Sequence, residues 1–441
     1  MRWLYVSCAL SLCGCESILG ADFDGRRRTD ELDASVPDAA ISDGETDAIA
    51  AGDAEGDGRV STTSIPCGDT RALDMQAPWP TFGYCQTRPG RSPAKAPKKP
   101  TIRWRYLLES SGLSDRFYGQ PVITRDGTVV LFAAVQTQTF FDAEVIAVRD
   151  GKLQWRTGLG QGLVQLSSGF AIGADGAIYT ALGSIVVALE PSGKVRWSAP
   201  FQSSFESASA PLILPDGSVV VAGGSCLKIY DKDGSITGSA CSEDGTFFPS
   251  LALTPASQII ALANAKANAT QGALYTYSAT GQKIARTPFS LNPESGVAIG
   301  ANSEAIFMST TSVLEVANGG IVTGQVPAGS LHMDFGHPVL TLDRAWFATE
   351  FSYDLKAHTV AKISNHNSGM GVAFGDGLFA FPMRRDPNEE SRSMRCIRQD
   401  QTEAWTVPLD FTSDDPSAPA IGADGTVYMA WGKTLYAVGD L

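Results

Sequence analysis

The chain has 441 residues, of which 43% are hydrophobic and 18% charged, with 45 glycines and 24 prolines. That profile excludes a coiled coil, a wholly disordered protein and a polytopic membrane protein. The formal charge of −13 is concentrated near the start: residues 16–66 hold 13 acids against 4 arginines, and residues 67–441 carry only −5. The body therefore has no basic field for nucleic acid.

Residues 1–14 read as a secretory signal, with Arg2 followed by an apolar run from Trp3 to Leu12 that is too short to span a bilayer. Leu12-Cys13-Gly14-Cys15 resembles a bacterial lipobox: an aliphatic residue, two small residues, then the cysteine that takes the lipid. The alternative is an ordinary signal peptide with incidental cysteines. The lipobox reading makes Cys15 the mature first residue, and several acyl chains on it give stable membrane anchoring. Glu16 rather than Asp follows it, which points to the outer membrane by the sorting rule of other Gram-negative lipoproteins.

Residues 15–66 then form a tether. From Asp30 to Asp57 there are ten acids, no base and no aromatic residue, a composition that cannot offset the entropy of ordering. About 50 such residues span roughly 40 Å. Asp53-Ala54-Glu55-Gly56-Asp57-Gly58 imitates the start of an EF-hand loop, but its twelfth position is Ser64, so the bidentate glutamate that calcium needs is missing.

Residues 67–100 lead into the body, where the remaining cysteines are Cys67, Cys85, Cys226, Cys241 and Cys396. Cys67 and Cys85 bracket the lead-in. Cys226 and Cys241 flank a hairpin whose turn runs from Asp231 to Gly234. Pairing the two turn residues sets Cys226 opposite Ser239, so Cys241 is reachable only through a bulge. No C-x₂₋₄-C spacing offers a zinc site. Two disulfides in an oxidising compartment are predicted, Cys67–Cys85 and Cys226–Cys241, with Cys396 left buried in a strand.

From residue 101 onward the chain repeats itself. An apolar strand, an Asp-Gly turn and a second apolar strand recur at 121–130, 170–179, 211–220 and 419–428, with weaker copies at 251–260, 297–307, 338–347 and 372–379. Asp126 and Asp424 are 298 residues apart over seven intervals, about 43 residues each, which is the arithmetic of four strands per propeller blade. A second phrase follows the first, at 146–155, 187–197 and 229–236, again with glycine at a tight turn. The last repeat supplies only three strands before the chain stops. Its missing fourth strand stands at 101–106, which predicts pairing with 434–438 and a closed ring without sheet edges at the join. The expectation is an all-β, eight-bladed propeller over 101–441; two stacked sandwiches are the rival.

The Asp-Gly and Gly-Lys-x-x-Trp phrases resemble the repeats of the quinoprotein (PQQ-like) β-propeller superfamily. Trp79-Pro80-Thr81-Phe82-Gly83, followed by Gly90-Arg91-Ser92, resembles the lead-in of its secreted members. The resemblance covers about residues 78–441, strongly in the first three and last repeats. For its dehydrogenases it implies a quinone held beneath a disulfide of adjacent cysteines, a calcium held by Glu, Asn and Asp, and a catalytic Asp. This chain has no adjacent cysteine pair, and none of those motifs transfers to a position here.

Other chemistry is equally sparse. The four histidines, His332, His337, His358 and His366, accompany no G-x-S-x-G elbow. His332, Asp334 and His337 lack metal-site spacing, no phosphate-cradling loop occurs, and the sequon Asn268-Ala269-Thr270 is incidental behind a bacterial lipobox. The expectation is a non-enzymatic envelope lipoprotein, without cofactor or metal, whose propeller binds a protein or other polymer. The alternatives are an outer-membrane barrel assembly factor and a quinone-dependent dehydrogenase.

The binding face is predicted from where repeats lengthen. Between second and third strands, blade one inserts residues 136–142, blade four 264–271 and blade seven 384–392. Insertions at one point of each repeat share one face of the disc. Phe140, Phe141, Arg384, Arg385 and Trp431 are the candidate contact residues, as aromatics beside arginines suit interfaces.

Overall fold

In this computed structural model the described residues are 67–109, 115–136, 141–161, 169–201, 208–265, 271–290, 292–310, 312–317, 320–327, 336–341, 343–347, 351–362, 370–383, 392–410 and 416–441. They form 32 strands, β1 to β32 in chain order, and no helix. The strands make eight antiparallel sheets of four, and the chain is an eight-bladed β-propeller. Seven blades are built from consecutive strands. The eighth takes its outermost strand from the start of the propeller.

Burial explains the layering within a blade. Middle strands such as β7 (Ile178–Leu182), β11 (Val219–Gly223) and β15 (Ile259–Ala263) are buried at every residue, because blades cover them on both faces. The outer strands are β5 (Lys152–Gln161), β9 (Val195–Pro200), β13 (Ile236–Cys241), β17 (Lys283–Ser290), β21 (Ile321–Pro327), β25 (Thr359–Lys362), β29 (Glu403–Leu409) and β1 (Thr101–Leu107). Their composition is more polar, and β1 and β17 alternate between exposed and more buried positions.

The Asp-Gly turns behave as the repeats predict. Gly127, Gly176, Gly217 and Gly425 have φ between +81° and +89°, and the preceding aspartates accept the N–H two residues on, at Thr128, Ala177, Ser218 and Thr426. In blades four and five the same left-handed position falls on Ser257 and Ser303. The turn persists there without its glycine, which is why those copies read weakly.

The ring closes as expected. β1 pairs antiparallel with β32 (Thr434–Gly439), from Thr101 opposite Gly439 to Leu107 opposite Thr434, with a bulge between Ile102 and Trp104. A bulge recurs in most outer strands, and the residue beside it alternates in size with its neighbour. Trp104 faces Ala437, Trp155 faces Ala147, Trp197 faces Ala188 and Trp405 faces Cys396. At the corresponding places Gly238 faces Ile229, Ala285 faces Thr276, Gly324 faces Glu315 and Val360 faces Tyr353.

Both predicted disulfides are present. Cys67 is bonded to Cys85 and Cys226 to Cys241, while Cys396 is a buried free thiol in β28 (Arg392–Ile397). The hairpin register differs in detail from expectation. Cys226 lies directly opposite Cys241, and Ser239 faces Lys228, because the turn sets Asp231 against Ser235 rather than Gly234 and a bulge between Ile229 and Tyr230 adds the second residue.

Candidate functional site

The channel through the ring is where a propeller of this size holds ligands, and the lead-in occupies one end of it. Its backbone visits the innermost strands in ring order, where each is about to enter its first turn. Trp79 O accepts from Ile123 N in blade one, and Pro80 O from Ile172 N in blade two. Gln86 Nε2 donates to Ile213 O in blade three, and Gln86 O accepts from Leu253 N in blade four. Thr87 O, Pro89 O and Gly90 O then accept from Ile299 N, Leu340 N and Ala373 N in blades five, six and seven. The amides of Lys98 and Lys99 reach the Asp440 carboxylate in blade eight. The lead-in is a strap making one full circuit of the ring.

Phe82 stands at the centre of that circuit. It is 5% exposed and packs with Ala210, Met370 and Ala418, which come from blades three, seven and eight. Its ring meets His337 of blade six edge-on, with centroids 5.3 Å apart. Contacts to so many blades place the ring near the channel axis. Gln120 joins strap to ring, accepting from Gly83 N through Oε1 and donating to Pro419 O through Nε2.

Arg88 is 1% exposed. Its Nε donates to Leu251 O at 3.0 Å, Nη2 to Pro211 O at 2.7 Å, and Nη1 to Thr81 Oγ1 and Phe82 O. All these partners are neutral. Burial pulls its pKa down to about 9, so it remains a cation at neutral pH. His337 is buried too, and its Nδ1 lies 2.9 Å from Pro338 O. Burial pulls the imidazole down to about 4, with the Arg88 cation adding to the effect and the Pro338 hydrogen bond opposing it. A cation clamped by carbonyls beside a neutral histidine is an arrangement for fastening the strap.

The predicted contact residues fare differently. Cys15, Phe140, Arg384 and Arg385 lie outside the described residues, and Phe141 is the first residue of β4 (Phe141–Arg149), its side chain likewise outside. Trp431, expected at the surface, is 0% exposed. It ends β31 (Val427–Trp431), a middle strand, and belongs to a core shared by blades seven, eight and one. The Arg392 guanidinium covers its ring at 5.2 Å. A middle strand is covered on both faces, so a short following loop does not expose its last side chain. Trp431 presents no surface to a partner. Phe82, Arg88, Gln120 and His337 were not singled out by sequence as a set; the Trp79–Gly83 motif was the available signal.

Residues 141–334 match the family model described as outer membrane protein assembly factor BamB. The chain carries PQQ-like propeller repeats. No curated protein is similar enough in sequence to match it. Among solved structures, the quinohemoprotein alcohol dehydrogenase of Comamonas testosteroni shares the fold with a TM-score of 0.63 and 12% identity, over 84% of this chain and 82% of that one. BamB from Moraxella catarrhalis is similar with a TM-score of 0.52 and 10% identity, over 78% of this chain and 100% of that one. Both likenesses are of fold.

The quinone site that the superfamily resemblance implies does not fit these residues. Neither disulfide joins adjacent cysteines: one ties the strap, the other crosses two strands of blade three. Among the described residues no three His, Cys, Asp or Glu side chains gather as metal ligands.

Proposed function

We propose that this chain is a non-enzymatic cell-envelope lipoprotein, held to the membrane through Cys15, whose propeller is a scaffold for a protein partner. The match of residues 141–334 to the outer-membrane assembly-factor model carries the reading. The acidic tether, the lipobox and the two disulfides support it, since all three belong to an exported protein. Within this reading the narrower role is assembly of outer-membrane barrels.

Crosslinking in intact envelopes, followed by purification, tests the proposal. Co-purification with the barrel-insertion complex is the expected result for the narrower role. Capture of a different, single envelope protein would keep the scaffold and remove the assembly factor. Cys15→Ser releases the protein from membranes or accumulates precursor; unchanged fractionation would sink the anchor. Addition of pyrroloquinoline quinone with calcium is expected to leave absorbance and melting temperature unchanged, and a bound quinone spectrum would overturn the non-enzymatic reading.

A further inference from the structure

The outer strand of each blade presents unpaired backbone groups, and proteins discourage pairing there with charges and prolines. Seven of the eight outer strands are protected in this way. β1, β5, β9, β17, β25 and β29 each contain Lys, Arg or Glu, and β21 ends on Pro327. β13 reads Ile236, Thr237, Gly238, Ser239, Ala240, Cys241 and has neither a charge nor a proline. Ile236 is 49% exposed at its start.

The register says which groups point outward. Cys226 and Cys241 face each other with Cα atoms 4.0 Å apart, the close spacing of a non-hydrogen-bonded antiparallel pair. Pairs alternate along the ladder, so Ser239, opposite Lys228, is of the same kind. The N–H and C=O of Ser239 and Cys241 therefore point away from β12 (Cys226–Tyr230). Among the described residues no strand pairs with β13 on that side. The disulfide fastens the far end of β13 to β12, so an added strand meets a preformed edge.

Charge narrows the occupant. The turn before β13 holds Asp231, Lys232 and Asp233, Lys228 stands opposite Ser239, and the acids after the strand are neutralised, Glu243 by Lys283 and Asp244 by Arg286, so the edge carries no net charge. An uncharged strand suits such an edge, because every charge around it already has its opposite.

We infer that the outer edge of blade three is a docking edge, which accepts an extended, uncharged segment of a partner polypeptide as a fifth strand. This deepens the scaffold reading by giving it a contact surface, and it does not depend on the lipid anchor or on barrel assembly.

The test uses the purified full-length protein and a fluorescent eight-residue peptide of alternating threonine and valine. Binding is expected, and with it hydrogen-exchange protection of the Ser239 and Cys241 amides, which exchange freely without peptide; Ala240 is protected in both states. Ser239→Pro removes an outward N–H that no ladder bond uses. It also removes the Ser239 hydroxyl's bond to Leu227 O, so Ser239→Ala is the control: the two variants should melt together, and only the proline should weaken the peptide, about tenfold or more, as should the charged variant Thr237→Lys. No binding by the wild type, or undiminished binding by a folded Ser239→Pro protein, overturns the inference. Protection of both amides in a dimer formed without peptide would also overturn it, by giving the edge to a second copy of this chain.

Discussion

The ring has two halves that solve one packing problem in opposite ways. In blades seven, eight, one and two the outer strand supplies a tryptophan, and the strand inside it supplies Cys396, Ala437, Ala147 or Ala188. Three of these indoles lie against the turn glycine of the following blade. A Cβ on Gly193 would stand 2.5 Å from Trp155, one on Gly234 2.8 Å from Trp197, and one on Gly151 3.4 Å from Trp104. In blades three, five and six the outer residue is small or branched and the inner one is large, while blade four sets Ala285 against Thr276. Ile229 reaches towards Gly281 of blade four, and the Tyr353 hydroxyl crosses above Gly324 to Glu315 at 3.1 Å. The volume between blades is fixed by the fold; which strand fills it is free to vary.

The strap meets the two halves differently as well. Its deeply buried side-chain clamps, Gln86 and Arg88, bond to carbonyls of blades three and four, with His337 of blade six beside them. These are blades without the tryptophan. Two other buried strap side chains serve the indole half, Thr81 Oγ1 donating to Phe170 O of blade two and Trp79 packing in the core of blades seven, eight and one, so the strap fastens the two halves by different side chains.

The largest expected effect comes from removing the join. Compared with a chain beginning at residue 101, which lacks the strap equally, a chain beginning at residue 108 lacks β1 and Trp104, leaves β32 as an open edge, and should lose more than about 5 kcal/mol, a large share of a domain's stability. Denaturant melts of the two chains measure it; equal midpoints would refute closure by β1. Next is Arg88→Met, which strands buried carbonyls of Phe82, Pro211 and Leu251 and should cost about 3–5 kcal/mol. Hydrogen exchange should rise first in blades three and four, and a uniform rise around the ring would contradict the division into halves.

Acid should act through His337. Its folded pKa of about 4 lies below the ordinary value of 6.5, so the unfolded chain takes up the proton first. Its contribution is complete above pH 6.5 and is lost as pH falls toward 4, by about 3 kcal/mol in all. His337→Asn should flatten that part of the stability profile. A profile equally steep in the variant would assign the slope to other groups.

Two smaller changes probe the rim directly. Gly193→Ala should cost about 2–3 kcal/mol, since its Cβ meets Trp155 at a φ of +85°, whereas Gly217→Ala, at +89° with nothing within 4 Å, should cost about 1 kcal/mol of backbone strain alone. Thermal melts separate them, and equal costs would mean the indole yields freely. Gly238→Trp places an indole where Ile229 Cδ1 stands 3.0 Å from a Cβ. Combined with Ile229→Ala it should cost less than the two changes summed, by about 1–2 kcal/mol. Strict additivity would show that the two halves are not interchangeable solutions.

Much of this was legible in the chain itself. The strand-turn-strand phrases around Asp126, Asp175, Asp216 and Asp424 predict blades because alternation and turn glycines are local properties, each written within about ten residues. The counting of repeats then forces closure, and the two disulfide pairs follow from which cysteines bracket a loop or a hairpin.

What only the tertiary structure decided depends on which neighbour arrives from far along the chain. Nothing near Trp431 in sequence says that other blades cover it, and nothing near Arg88 says that its partners lie at Pro211 and Leu251, 123 and 163 residues away. The lead-in has no periodicity, so its path around the ring is set by the free amides and carbonyls that seven inner strands present at the channel mouth, and by the Asp440 carboxylate in blade eight. An unpaired buried backbone group is costly, and a strap that answers one in nearly every blade is held by all of them together.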